Sequence, residues 1–79
     1  MSPTVFREGP YRFFFFSREE TRVHIHIQSV DGEAKFWLEP TIELARNHGL
    51  SDTELRRVER SVRERQQEIR DAWHDHFAS

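Results

Sequence analysis

His24 and His26 bracket a single isoleucine, in a stretch from Val23 to Ser29 that alternates between apolar and polar side chains. In an extended strand, residues two apart point the same way. The two imidazoles therefore share a face, about 6.5–7 Å apart, with Gln28, Lys35 and Trp37 beside them. Imidazole exchanges a proton near neutral pH, so such a pair suits acid–base work in phosphodiester cleavage. In that chemistry His24 and His26 exchange protons with a ribose hydroxyl and a leaving group, and Arg12 or Lys35 steadies the phosphate. Two histidines are only half a metal site. No carboxylate stands clearly on that face, because Glu33 reaches it only beside a turn, and no metal or other cofactor is expected. The plainer reading is a partly exposed strand face that holds histidines without using them.

Three other groups of residues could bind a partner. The run Tyr11-Arg12-Phe13-Phe14-Phe15-Phe16 puts Tyr11, Phe13 and Phe15 on one face of a strand and Arg12, Phe14 and Phe16 on the other. A strand apolar on both sides is usually central and covered twice; left open, such rings form a partner surface or a stacking platform for bases. Arg7 and Arg12 face each other if Gly9-Pro10 is the loop between them, and opposed like charges cost stability unless an anion or a nearby Glu lies between. Arg56, Arg60 and Arg63 share a helix face, but the Asp52–Arg56 and Glu59–Arg63 spacings pair them off as a solvated surface. Arg7, Arg12, Lys35 and Trp37 are therefore the candidate binding face, and His24 and His26 the candidate catalytic pair. A nucleic-acid partner has weak support.

These residues need elements to position them. Gly9-Pro10 suits a two-residue hairpin turn between Val5–Glu8 and Tyr11–Ser17. Asp31-Gly32 suits a second, between Val23–Ser29 and Glu33–Leu38; with that loop Ile27 faces Phe36, Ile25 faces Leu38 and His26 faces Trp37. Thr41–His48 reads as a short helix, entered at Pro40 and stopped by Gly49. Ser51 and Glu54 form a capping box for a long helix running to about Phe77, with a stripe of Leu55, Val58, Val62, Ile69, Trp73 and Phe77 interrupted at Arg65. The expected fold is α+β: a four-stranded antiparallel sheet of two hairpins, then a short helix and a long C-terminal helix packed on one face. Residues 1–79 form a single domain, 1–39 sheet and 40–79 helical. The core should hold Phe13, Phe15, Ile25, Ile27, Phe36, Leu38, Leu55, Val58 and Val62. A helix of about 26 residues spans roughly 39 Å, whereas the strands span about 20–23 Å. Either the helix kinks, or its second half projects and offers Ile69, Trp73 and Phe77 to a protein partner or a second copy.

Composition narrows the function. The chain has 79 residues, 12 Lys or Arg against 14 Asp or Glu, and a formal charge of −2, with no cysteine. No overall basic excess points to nucleic acid. The missing cysteines remove disulfides, cysteine zinc sites and thiol nucleophiles, and fit a reducing cytoplasm. The longest apolar run, Phe13–Phe16, is far short of the ~20 residues of a membrane span. Nothing resembles a secretion signal, so a soluble cytoplasmic protein is expected.

Pro3-Thr4-Val5-Phe6-Arg7, Gly9-Pro10-Tyr11-Arg12-Phe13-Phe14-Phe15, His24-Ile25-His26-Ile27 and Gly32-Glu33-Ala34-Lys35-Phe36-Trp37-Leu38-Glu39-Pro40 resemble a small bacterial family, domain of unknown function 4160. The similarity continues through Glu43–Gly49, Ser51, Glu54 and Leu55 to Trp73 and Phe77. The family pattern usually carries two prolines before the first histidine, where this chain has Arg22-Val23. Members of the family that it resembles often sit, gene beside gene, with a second small family, domain of unknown function 2442, and such pairing suggests a toxin–antitoxin-like or regulatory two-protein module, by association alone. The resemblance carries over no catalytic residue. The leading expectation is a small binding protein; the alternative is a metal-independent ribonuclease with His24 and His26 as its acid–base pair.

Overall fold

The structure, a computed structural model, describes residues 3–16 and 21–77. Five strands and two helices follow one another along the chain: β1 (Thr4–Glu8), β2 (Tyr11–Phe14), β3 (His24–Ser29), β4 (Gly32–Trp37), β5 (Glu43–His48), α1 (Asp52–Glu64) and α2 (Gln66–Phe77). The strands form one antiparallel meander in sequence order, and the helices cover one of its faces. The fold is α+β as expected, but the sheet has five strands rather than four.

The extra strand corrects the short helix expected over Thr41–His48. Glu, Leu, Ala and Arg favour a helix there, yet β5 lies along β4, pairing Glu33 with His48 and Lys35 with Arg46. Without β5, the outer edge of β4 would leave its backbone N–H and C=O groups unpaired. Tertiary pairing outweighs local propensity. Gly49 does not cap a helix; with φ 98° it turns the chain from β5 toward α1. Asn47 braces that turn, donating from Nδ2 to the Leu50 carbonyl (2.9 Å) and accepting from the Leu50 amide (3.1 Å).

The first hairpin forms as expected, with Gly9 at φ 53° and Arg7 opposite Arg12. The second is shifted by two residues. Ile25 faces Phe36, Ile27 faces Ala34 and His24 faces Trp37, so Val30-Asp31 is the loop. An even shift leaves every side chain on its expected face. Its cause is β5: Gly32 sits inside β4, where a Cβ would collide with the His48 carbonyl oxygen. The glycine serves a close backbone approach rather than a turn.

Phe13, Phe15, Ile25, Ile27, Phe36, Leu38, Val58 and Val62 are fully or almost fully buried, as expected, and Leu55 is half-buried. Phe6, Tyr11, Val23, Ala34, Leu50, Ile69 and Trp73 complete the core. Ser51 and Glu54 form both halves of the capping box, with bonds of 3.2 and 3.0 Å.

The helical segment breaks at Arg65 (φ −113°, ψ 22°). The 13 residues of α1 and 12 of α2 each span about 18–20 Å, close to the strand length. The break is anchored. Arg65 donates to Glu8 at 3.0 Å and to Glu68 at 2.9 and 3.0 Å, with its guanidinium 3.5 Å over the Phe6 ring. Ser61 also donates to Glu8. Bending folds α2 back, so Ile69 (0 % exposed) and Trp73 (6 %) pack inside the chain, and Phe77 lies against Phe15. Of the two expectations for the long helix, the kink is the one observed, and its second half does not project: Ile69 and Trp73 are buried within the chain and Phe77 is half-buried. Among the described residues, no helix is long and apolar enough to cross a membrane.

Candidate binding face

The sheet's other face is built of three rows running across the strands. Arg7, Arg12, Gln28, Glu33 and His48 form one row. Phe14, His26, Lys35 and Arg46 form the next, and His24, Trp37 and Glu43 the third. All six residues singled out from sequence therefore lie on one face, in adjacent rows. Pleating dictates this: once Ile25 and Ile27 turn toward the helices, His24 and His26 turn away.

The histidine pair is not an open edge. His24 is 0 % exposed and His26 7 %, which corrects the expected partly exposed imidazoles. The physical reason is ring packing at the end of the sheet. His24 meets Trp37 at 5.5 Å, Trp73 of α2 at 5.0 Å and His26 at 5.0 Å between centroids. Its Nδ1 donates to the Arg22 carbonyl at 2.7 Å, since a carbonyl only accepts. His26 is stacked on Phe14 (5.5 Å) and meets the edge of Phe16 (4.5 Å). Both imidazoles are packed among rings, and His24 joins α2 to the sheet.

Cations cover Phe14 and Trp37, while Phe16 stays exposed. The Arg12 guanidinium lies 4.4 Å over Phe14, while Arg22 and the Lys35 ammonium lie 4.1 and 4.3 Å over Trp37. Such contacts are worth about 0.5–1 kcal/mol each at exposed sites, and they fix where the charge sits. Arg12 is further held by Thr4, to whose hydroxyl its Nε donates at 2.7 Å, and Arg22 by the Glu39 carbonyl at 2.6 Å. Arg22 and Arg46 were not singled out from sequence. Reading 43–48 as a strand would have found Arg46, because the register puts it beside Lys35.

Two hollows open on this face. A shallow groove of about 530 Å³ lies between the first hairpin and the β3–β4 turn, lined by Thr4, Arg7, Pro10, Arg12, Gln28 and Val30 among others. A smaller one, about 90 Å³, lies between His26, Lys35, Arg46 and His48. Among the described residues there is no group of three or more His, Cys, Asp or Glu side chains that could hold a metal ion.

The covered side has its own polar contacts, which sequence reading missed because they join distant segments. Ser61 and Arg65 both donate to Glu8 and hold its carboxyl below the usual range, the Ser61 bond most strongly. Tyr11 donates to Glu54 at 3.2 Å. Burial, then the Glu54 charge, pushes the Tyr11 phenol above its ordinary pKa. Asp31, on the β3–β4 turn, hydrogen-bonds the same Glu54 carboxyl and is raised, chiefly by that bond. Glu54 is lowered, chiefly by the Ser51 backbone amide.

Fold and face together define a small α+β meander with one helix-covered side and one ring-and-cation side. The chain belongs to the family described as Domain of unknown function (DUF4160), which matches residues 11–74, from the first residue of β2 into α2. No curated protein and no solved structure matches it.

Proposed function

We propose that this chain is a small binding protein, one component of a bacterial two-protein module of regulatory or toxin–antitoxin-like type, and that it engages its partner through the uncovered sheet face. The observation that carries this reading is charge placement. The whole chain has a formal charge of −2. Yet Arg7, Arg12, Arg22, Lys35 and Arg46 lie on or against this face, where the described strands contribute only Glu33 and Glu43 as carboxylates. Segregated charge of this kind steers a complementary partner and sets orientation. The burial of His24 favours binding over acid–base work, which needs a ring that substrate can reach.

The test is size-exclusion chromatography with light scattering on the chain alone and mixed with the product of the adjacent gene. A stoichiometric complex that weakens in Arg22→Glu and Arg46→Glu supports the proposal. Its absence, or a complex indifferent to both changes, overturns it. RNA cleavage by the wild type that a folded His26→Ala variant loses would replace it with the ribonuclease reading.

A further inference from the structure

We infer that β5 is a self-pairing edge: two copies of the chain join their β5 strands antiparallel about a two-fold axis perpendicular to the sheet, with Glu43 of each opposite Arg46 of the other.

β5 ends the sheet, and among the described residues no strand lies beyond it. Its outer N–H and C=O groups can therefore template a further strand. A bulge in an edge strand ordinarily discourages such pairing. Here the bulge also selects which side chains meet. The register against β4 shifts between Lys35 and Phe36, so that Glu43 stands opposite Trp37 and Arg46 opposite Lys35. Glu43 and Arg46 thus share the uncovered face, although residues three apart in a regular strand point to opposite sides. One edge carries an acid and a base on the same side. Neither makes an ion pair within the chain; Glu43 accepts from the Thr41 hydroxyl at 3.0 Å, and Arg46 is exposed.

An antiparallel pair of identical strands repeats every contact twice. Centred between Leu44 and Ala45, it sets each Glu43 against the other copy's Arg46, so both acids and both bases are matched. The covered face favours the same centring. Phe36 is 1 % exposed, yet its cross-strand neighbour Leu44, on the same side, is 45 % exposed. The helical layer stops short of β5. Pairing brings the two Leu44 side chains to either side of the axis, where each helps to cover the other. A perpendicular axis keeps both helical layers on one side of the joined sheet and both ring-and-cation faces on the other.

β1, the opposite edge, lacks these features. Its uncovered side carries Thr4 and Arg7, and its one carboxylate, Glu8, holds Ser61 and Arg65 on the helical side. Self-pairing there would offer Arg7 no acid. At β5 the strand pair is short and buries less than the roughly 1,200–2,000 Å² of a standard interface. The dimer is therefore weak and sensitive to salt.

Sedimentation equilibrium of the chain alone, from about 10 μM to 1 mM in low salt, should show a monomer–dimer exchange that added salt weakens. In amide NMR spectra, dilution should shift residues 43–46. Glu43→Arg and Arg46→Glu, each confirmed folded by its melting curve, turn both pairs into like charges and should weaken the dimer about tenfold or more. The double variant restores opposite charges in both pairs and should recover the wild-type constant to within about threefold. A merely structural role of either residue would not give that recovery. Arg60→Glu on α1 makes the same change of net charge as Arg46→Glu and should leave the dimer unaltered. A monomer throughout the range, dilution shifts centred on another element, indifference to both single changes, or a double variant as weak as the singles overturns the inference. The chain is measured alone, so any of these results leaves the two-protein proposal standing.

Discussion

The two faces of the sheet use equally large side chains and differ in what lies on top of them. On the covered face, Phe13, Ile25, Ile27 and Phe36 are at most 1 % exposed under two helices, and each such side chain contributes roughly 1.5–3 kcal/mol by leaving water. On the other face, Phe14 and Trp37 are roofed by guanidinium and ammonium groups. A 79-residue chain has too few residues for a second covering layer. Long cationic side chains do part of that work, laying their guanidinium and ammonium heads over the rings. The result is one apolar face packed under helices and one face that carries cations over its rings. His24 stands between them, a member of the outer rows whose ring touches Trp73 of the helical layer.

Substitutions should sort along that division. Trp73→Ala removes the ring that joins α2 to Phe15 and His24 and is expected to cost about 3–5 kcal/mol, most of the stability of a domain this size. Urea denaturation should find it largely unfolded; retention of near wild-type stability would show that α2 is not part of the core. His24→Ala tests where the boundary lies. If the ring is core, the loss is about 2–4 kcal/mol, read as a fall of the midpoint at unchanged m-value. A loss below about 0.5 kcal/mol would return His24 to the surface class.

Much of this division is legible in the sequence. The alternation of β3 assigns Ile25 and Ile27 to one side and the histidines to the other, and the mismatch between helix length and strand length allows for the kink. Two things escape it. β5 is written in helix-forming residues, and only the unpaired edge of β4 makes it a strand. Burial of His24 draws on Trp73 of α2, and α2 is positioned by Arg65 and Ser61 reaching Glu8 across more than fifty residues. Periodicity reports which way a side chain points; it does not report what arrives there from elsewhere in the chain. The same limit hides the Tyr11–Glu54–Asp31 contacts, formed by a strand, a helix cap and a turn.

The kink supplies a pH-dependent test of the covered side. Glu8 has a lowered pKa, from the Ser61 bond first and then Arg65. A carboxyl whose folded pKa is lowered adds stability above its unfolded value, near 4.5, and loses it as pH falls through the folded value. Glu8→Gln should therefore lower stability at pH 7 by about 1 kcal/mol, a small figure because the pair is partly open to water. It should also flatten the acid limb of the melting-temperature profile. On the uncovered side, Arg22→Ala removes one cation from Trp37 and should cost about 0.5–1 kcal/mol with no change in that limb. Equal pH profiles for the two variants would erase the contrast drawn between the faces.

Asp31→Asn carries the smallest expected effect and the opposite sign. Asp31 shares a hydrogen bond with Glu54, and that bond, with the Glu54 charge, raises its pKa above the ordinary 3.8. A carboxyl whose folded pKa is raised stabilises most when protonated: its contribution is full below the unfolded value and is lost as pH rises through the folded one. At neutral pH the two carboxylates repel beside the start of α1, where Glu54 is held by the Ser51 amide and cannot swing away without opening the capping box. An amide donates to Glu54 at any pH and carries no charge. The substitution also keeps the turn intact, since the Asp31 backbone amide, not its side chain, donates to Ser29, and no non-glycine residue there has positive φ. Asp31→Asn should raise the melting temperature at pH 7 and lose that advantage as pH falls toward 3.8. A variant less stable than wild type at pH 7 would mean that the Asp31–Glu54 contact is favourable even when both groups are ionised, and would place the β3–β4 turn with the anion-seeking face rather than with the helix cap.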